Sequence, residues 1–190
     1  MTHALIRPVL PIRAALLAAC VAVLWTMTAA AQPDEAIARF VGSYSGTAEI
    51  VNADGSKTPR DLSVRIETTR RGFSVKWSTV TYREDGDISE KNYDISFTPS
   101  DRDGVYAAAM KKNVFGHEVQ LDPMKGEPYV WARITGDTLT VYSLFVDHDG
   151  GYELQQFDRT LAEGGLQLDF KRISDGMQKR TTSAFLQREE

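Results

Sequence analysis

The side chains of this 190-residue chain that could bind a ligand are mainly aromatic. Alternation along its β-rich segments would let five rings and one cation line a common pocket: Tyr44, Trp77, Tyr93, Trp131, Phe145 and Arg133. An apolar cavity with a few polar groups is the usual form of a small-molecule site. We therefore predict that these six residues bind a small hydrophobic or amphipathic molecule.

Two alternatives to this pocket stay open at the level of sequence. The rings could pack against one another and fill the interior, as side chains do in many small barrels. The orientation of the segment at 128–135 is also undecided. If Trp131 and Arg133 point outward, then Val130, Ala132 and Ile134 face inward instead.

Residues suited to covalent or metal catalysis are scarce. No Gly-x-Ser-x-Gly, His-Glu-x-x-His, Cys-x-x-Cys or phosphate-binding glycine motif occurs. Turn chemistry accounts for Asp147-His148-Asp149, and a single turn cannot supply the six to eight oxygens that calcium needs. His117 could ligate haem, but a surface or hydrogen-bonded role is the favoured interpretation. We predict no catalytic residue, metal or cofactor, with an enzyme using Glu118 or Asp147 as its base as the alternative.

The N-terminal segment has the pattern of an export signal. Arg7 and Arg13 precede an apolar run over residues 14–28, and small residues follow as far as Ala31. The run is shorter than the about 20 apolar residues that span a bilayer. We therefore predict a signal peptide over residues 1–31 and a periplasmic or secreted protein that has no membrane span after signal removal.

Cys20, the only cysteine, gives a second possibility for this segment. Leu17-Ala18-Ala19-Cys20 is similar to a bacterial lipoprotein signal, in which the acylated cysteine would anchor the mature chain to lipid. Residues 32–190 contain no cysteine, so a hydrophobic core must stabilise them without disulfides. They are long enough to form one domain around one core. The net charge of −4 argues against a nucleic-acid surface.

Turn signals divide the rest of the chain into short segments. Five Asp-Gly pairs separate β-rich runs: Asp54-Gly55, Asp85-Gly86, Asp103-Gly104, Asp149-Gly150 and Asp175-Gly176. Such pairs favour hairpins because both residues tolerate positive φ. Ten strands are predicted, at 43–52, 60–69, 73–83, 91–98, 105–111, 128–135, 138–147, 151–161, 165–173 and 178–188. A short helix is predicted at 33–40, and because no later segment has a helical period, the sheet should be antiparallel.

Ten sequential strands would expose two sheet edges unless they closed on themselves. We therefore predict an all-β fold, an antiparallel up-and-down barrel of about 8–10 strands with a short N-terminal helix. The helix leading into Gly42-Ser43-Tyr44-Ser45-Gly46, with Arg188 near the end of the last strand, resembles the lipocalin-like (calycin-type) barrels. Tyr44 stands where that group often has tryptophan. The resemblance implies that Tyr44 closes the bottom and that a basic residue packs over it, Arg188 or one of its rivals Arg180 and Lys179.

These observations together predict the function. Residues 32–190 would form a single lipocalin-like β-barrel domain that is exported, non-catalytic and specific for a small hydrophobic or amphipathic partner. The alternative is a cell-envelope interaction protein that uses an outer face of the barrel or the irregular segment at 112–127. That segment, which glycines and prolines interrupt, is best interpreted as a plain connection, and the alternative is a lid over an opening.

Overall fold

The computed structural model describes residues 35–51, 55–109, 111–112, 116 and 118–190. The predicted signal peptide, the lipoprotein alternative at Cys20 and the haem alternative at His117 lie outside the described residues, as does the side chain of Glu118.

One short helix and twelve strands form the described part of the chain. The helix is α1 (Glu35–Ala38), and the strands are β1 (Gly42–Val51), β2 (Lys57–Thr69), β3 (Gly72–Tyr82), β4 (Ile88–Pro99), β5 (Val105–Ala109), β6 (Lys111–Lys112), β7 (Glu118–Val119), β8 (Tyr129–Thr135), β9 (Thr138–Val146), β10 (Tyr152–Ala162), β11 (Gly165–Ser174) and β12 (Met177–Arg188). A single 3-10 turn lies at Pro123–Lys125. Among the described residues, no helix has the length and apolarity to cross a membrane.

Ten of these strands close into one antiparallel barrel. Their order is β1-β12-β11-β10-β9-β8-β5-β4-β3-β2, with β2 pairing back to β1. The predicted fold class, an all-β antiparallel barrel with a short helix on its N-terminal side, is confirmed. The two remaining strands, β6 and β7, pair with each other in a small ribbon within the predicted irregular segment.

The Asp-Gly pairs have the backbone geometry that turns require. The glycines of all five pairs have positive φ: Gly55, Gly86, Gly104, Gly150 and Gly176. Between the turns, alternate side chains point into the barrel, as Phe73, Val75 and Trp77 do along β3. Turn chemistry and alternation together therefore account for this fold.

One end of the barrel is plugged by α1 and its neighbours. Ile37 and Phe40 are fully buried in the core, and the Tyr44 hydroxyl donates a hydrogen bond to the Phe40 carbonyl oxygen at 2.9 Å. Arg39 of this segment forms an ion pair with Asp137, in the turn between β8 and β9. We call this the closed end, and the opposite end, at the β1–β2, β3–β4 and β11–β12 turns, the open end.

Arg188 completes the closed end. It pairs in register with Tyr44, and its guanidinium carbon lies 5.6 Å from the centre of the Tyr44 ring. Its Nη2 donates to the Val41 carbonyl oxygen at 2.6 Å. Arg188, and not Arg180 or Lys179, is therefore the basic residue that packs over Tyr44.

The barrel closes through a short seam. Strands β1 and β12 pair only at Tyr44 with Arg188 and at Ser45 with Gln187 among the described residues. A Cβ atom at Gly46, the next residue, would lie 2.3 Å from the Phe185 carbonyl oxygen. Because real Cβ atoms do not approach an oxygen so closely, glycine is needed here for the first and last strands to meet.

Candidate ligand-binding cavity

A cavity of about 190 Å³ lies inside the barrel, between β2–β4 on one side and β10–β12 on the other. A cavity of roughly 150 Å³ lined by apolar side chains holds a benzene molecule, so this one can take a small organic group. Its apolar lining consists of Leu62, Val64, Trp77, Tyr93, Phe157, Leu168 and Phe170. Its basic lining consists of Arg60, Lys91, Arg159, Arg172 and Arg180.

Aromatic rings form one continuous wall of the cavity. The Trp77 ring stacks on Tyr93 at 4.8 Å between centroids and meets Phe157 at 5.5 Å, and Phe157 meets Phe170 at 4.8 Å. Trp77 is 9% exposed, whereas Tyr93 is 41% exposed and lies nearer the opening. Rings that brace one another in this way keep their orientation, so the wall offers a preformed apolar surface.

Arg159 is the most deeply buried charge that the structure describes. It is 1% exposed, and its guanidinium carbon lies 5.3 Å from the Trp77 ring centre and 5.7 Å from that of Phe157. Its Nε and Nη1 have no hydrogen-bond partner among the described residues. Burial lowers the pKa of Arg159 to about 10, with Asp158 opposing the shift. The side chain is therefore still charged at neutral pH.

More cations lie between Arg159 and the open end. Burial lowers the pKa of Arg60, and the neighbouring Arg180 lowers it further. The Nε of Arg60 also lacks a partner among the described residues. Arg180 and Lys91 are exposed. The mouth of the cavity is therefore basic although the whole chain is acidic.

No carboxylate lines the cavity in the part of the chain that the structure describes. Glu153 is the acid that binds a cavity arginine: it accepts hydrogen bonds from Arg172 Nε at 2.6 Å and from Gln155 Nε2 at 2.7 Å. Asp158 points to the opposite face of β10, where Thr140 and Gln156 each donate to it at 2.7 Å. Arg172 is thus neutralised, and Arg159 is not.

The structure brings together two of the six residues that the sequence placed in a pocket. Trp77 and Tyr93 line the cavity as neighbours. Tyr44 lies in the plug of the closed end instead. Phe145 lies near the open end in a separate groove with Gly126, Glu153 and Gln155. Ligand binding by these four residues stays a prediction.

Trp131 and Arg133 lie on the outer face of the barrel, which corrects their predicted place in the internal pocket. Val130 and Ala132 are 2% and 0% exposed, so the alternating residues of β8 point outward. The Trp131 ring stacks there on Tyr142 at 4.7 Å. The physical reason is pairing: Ala132 stands opposite Tyr106, whose ring fills the core, and cross-strand partners share a face.

The basic lining was missed from the sequence, although one signal for it was present. Phe157, Arg159 and Leu161 alternate along β10, so the arginine occupies a position of the inward face. A charge in that place within an otherwise apolar alternation indicates either a bulge or a site.

The turn residues that could have bound a metal, including the possible base Asp147, are exposed. Asp147, His148 and Asp149 lie in the β9–β10 turn, where the Asp147 amide donates to the Gly151 carbonyl at 3.0 Å. No group of three His, Cys, Asp or Glu side chains among the described residues could hold a metal ion.

The irregular segment at 112–127 contributes no lining residue to the internal cavity within its described part. Asp122 caps the 3-10 turn by accepting from the Met124 amide at 3.0 Å, and Gln120 donates to the Val130 carbonyl at 3.1 Å. The segment also contains the short strand β7, which pairs with β6. The hydrogen bond from Gln120 ties the segment to β8.

Comparisons with known proteins add one structural likeness. No protein-family model and no curated protein matches the chain. Among solved structures it is similar to an S-type phycobiliprotein lyase, CPES, from Guillardia theta, at 9% sequence identity and a TM-score of 0.33, over 81% of this chain and 90% of that chain. What the structure itself establishes is a closed ten-strand antiparallel β-barrel with a basic, aromatic-walled cavity.

Proposed function

We propose that this protein is an exported barrel that binds a small amphipathic molecule in its internal cavity without chemistry. The observation that carries the proposal is the aromatic wall formed by Trp77, Tyr93 and Phe157 around a volume of about 190 Å³. A solidly packed barrel would have no such space, whereas the closed end shows that this chain can pack its rings when they only fill the core.

The lipocalin-like group is the family that we propose for it. Support comes from the closed antiparallel barrel, the helix before the first strand and the stacking of Arg188 on Tyr44. Export is proposed from the N-terminal pattern alone. Fractionating the host cells and sequencing the N-terminus of the protein tests it: we expect Gln32 as first residue outside the inner membrane, and an acylated Cys20 would support the lipid anchor. An intact Met1 on protein confined to the cytoplasm would contradict export.

The two tryptophans of the domain provide a test of where a ligand binds. Trp77 lies inside the barrel, and Trp131 lies outside it. A brominated alcohol such as 6-bromohexan-1-ol quenches indole fluorescence on contact, so each ring can report its own neighbourhood. We would titrate the purified chain and its variants Trp77→Phe and Trp131→Phe with this alcohol.

Binding in the cavity predicts saturable quenching that persists in Trp131→Phe and disappears in Trp77→Phe. The reverse pattern would place the ligand on the outer aromatic cluster of Tyr129, Trp131 and Tyr142 and would favour the interaction-protein alternative. No saturable quenching in any variant would contradict the proposed function. Trp25, where the N-terminal segment is retained, gives the same background in both variants.

A further inference from the structure

The charge inside the cavity narrows the class of ligand, and this step rests on the proposed function. Arg159 is 1% exposed and lies against the rings of Trp77 and Phe157. Contact with ring faces offsets part of the lost hydration of a guanidinium. It does not satisfy the in-plane N–H donors, and Nε and Nη1 remain without partners among the described residues.

No carboxylate of the described residues accepts a hydrogen bond from the Nε or Nη1 of this guanidinium, and Asp158 acts on it only through its charge. Asp158, the adjacent residue, is on the other face of β10 and already accepts from Thr140 and Gln156. Glu153, the other acid of this strand, is bound by Arg172 and Gln155. A buried, unpaired charge is strongly unfavourable, so a fold that only needed stability would have an apolar residue at this position.

The surroundings of Arg159 fit an incoming anion better than any other partner. Arg60, Lys91 and Arg180 make the mouth of the cavity basic, which would attract anions and repel cations. Behind the mouth, the wall of Leu62, Phe157 and Leu168 is apolar. A molecule that matches both parts has a compact oxyanion and a short apolar body.

We infer that the natural ligand is a small hydrophobic carboxylate whose carboxyl group binds the Arg159 guanidinium while its apolar part lies against Trp77 and Phe157. Arginine presents its donors in a planar fork that matches the two oxygens of a carboxylate. Arg60 and Arg180 guide the anion inward, and Arg159 holds it.

The experiment compares two ligands that differ only in the charged group, 6-bromohexanoate and 6-bromohexan-1-ol. Titration calorimetry gives their dissociation constants for the purified chain. Because a hydrogen-bonded pair involving a charged group is stronger than a neutral one, we expect the acid to bind roughly 10- to 100-fold more tightly than the alcohol.

Four arginine variants locate the charge responsible: Arg159→Met, Arg159→Lys, Arg180→Met and the control Arg65→Met. Arg159→Met keeps the length of the side chain and removes its charge, so it should abolish the preference for the acid, and its circular dichroism spectrum, compared with that of the parent, shows whether the variant folds. Arg159→Lys should retain part of the preference. Arg65→Met, on the exposed outer face of β2, is the matched control and should bind both ligands as the parent does.

The outcomes separate this inference from the proposed function. Equal affinity for acid and alcohol in the parent protein, with quenching of Trp77 by both, would overturn the inference and leave the cavity function standing. A preference that survives in Arg159→Met but is lost in Arg180→Met would assign the anion to the mouth and would equally overturn it. Failure of both ligands to bind would contradict the inference and the proposed function together.

Discussion

Two arginines in different parts of the barrel show how differently one residue type can be used. Arg188, at the closed end, lies over the Tyr44 ring and donates to the Val41 carbonyl. Arg159, in the cavity, also lies against aromatic rings, but its Nε and Nη1 have no partner among the described residues. The closed end satisfies its cation from within the protein, whereas the cavity does not.

The same contrast extends to the aromatic residues of the two regions. At the closed end Phe73, Phe97 and Tyr106 are packed together and at most 2% exposed. In the cavity Trp77, Tyr93 and Phe157 also touch, but they border about 190 Å³ of space. One region is therefore built for stability, and the other gives up some stability to keep a charged, open interior.

The largest expected effect on stability comes from a substitution in the core of the closed end. Phe40→Ala removes a fully buried ring from the plug and should lower the free energy of unfolding by about 3–5 kcal/mol. Phe185→Ala is the matched control, because Phe185 is 45% exposed and its truncation should cost much less. Urea unfolding of both variants measures the difference. Similar costs for the two would mean that α1 does not plug the barrel.

Removing the charge of Arg159 from the cavity should instead stabilise the protein. In ligand-free protein, Arg159→Met should raise the free energy of unfolding by about 1–4 kcal/mol, since it replaces an unpaired buried charge by an apolar side chain of similar length. Arg188→Met should lower it instead, because a carbonyl and a ring lose their partner. Thermal unfolding compares the two variants directly. A loss of stability in Arg159→Met would indicate a partner for this guanidinium within the protein.

The stabilising effect of Arg159→Met should depend on pH in one direction. Burial lowers the pKa of Arg159 from its ordinary value to about 10, so below that pH the guanidinium is charged in both the folded and the unfolded state, and the full cost of burying the charge is present. Above pH 10 the folded protein releases this proton before the unfolded chain does, and the parent gains about 1.4 kcal/mol of stability per pH unit until the unfolded chain releases it too.

Measuring the free energy of unfolding from neutral pH to above pH 10 tests whether the stability of the parent rises in this way. The difference in stability between Arg159→Met and the parent should stay constant below the folded pKa and shrink above it. Subtracting the two proteins removes the common titration of other groups, including Tyr44, whose pKa burial raises against the effect of Arg188. A difference that grew with pH would contradict the assigned cause.

The smallest expected effect on stability comes from one hydrogen bond at the closed end. Tyr44→Phe keeps the ring under Arg188 and removes only the hydroxyl that donates to the Phe40 carbonyl. The free energy of unfolding should fall by about 0.5–1.5 kcal/mol, the usual contribution of one hydrogen bond. Chemical denaturation measures this difference, and no loss of stability would mean that this hydrogen bond does not contribute to the closed end.

Most of the fold could be predicted from the sequence because each turn is specified by the residues that form it. The predicted strand at 138–147 is β9 (Thr138–Val146), and the one at 165–173 is β11 (Gly165–Ser174). Each is bounded by residues that tolerate the backbone of a tight turn. Closure then follows, since a long antiparallel sheet has few other ways to remove its edges.

The orientation of β8 could not be predicted in the same way. Its sequence, Tyr129 to Thr135, carries bulky apolar residues on both faces, so alternation alone gives no direction. What fixes it is the pairing of Ala132 with Tyr106 across residues 110–128, and that long-range register is not encoded in either strand by itself. The position of Arg159 in the cavity was not predicted for a related reason. Binding sites place charges where the hydrophobic pattern predicts apolar residues.

The most direct test is a crystal structure of the protein with 6-bromohexanoate, in which the anomalous signal of bromine orients the bound molecule. We predict the bromine inside the barrel beside Trp77 or Phe157, and the carboxylate oxygens about 2.7–2.9 Å from the Arg159 guanidinium nitrogens. A carboxylate bound to Arg180 at the mouth, or a molecule seated on Trp131 outside the barrel, would contradict the account.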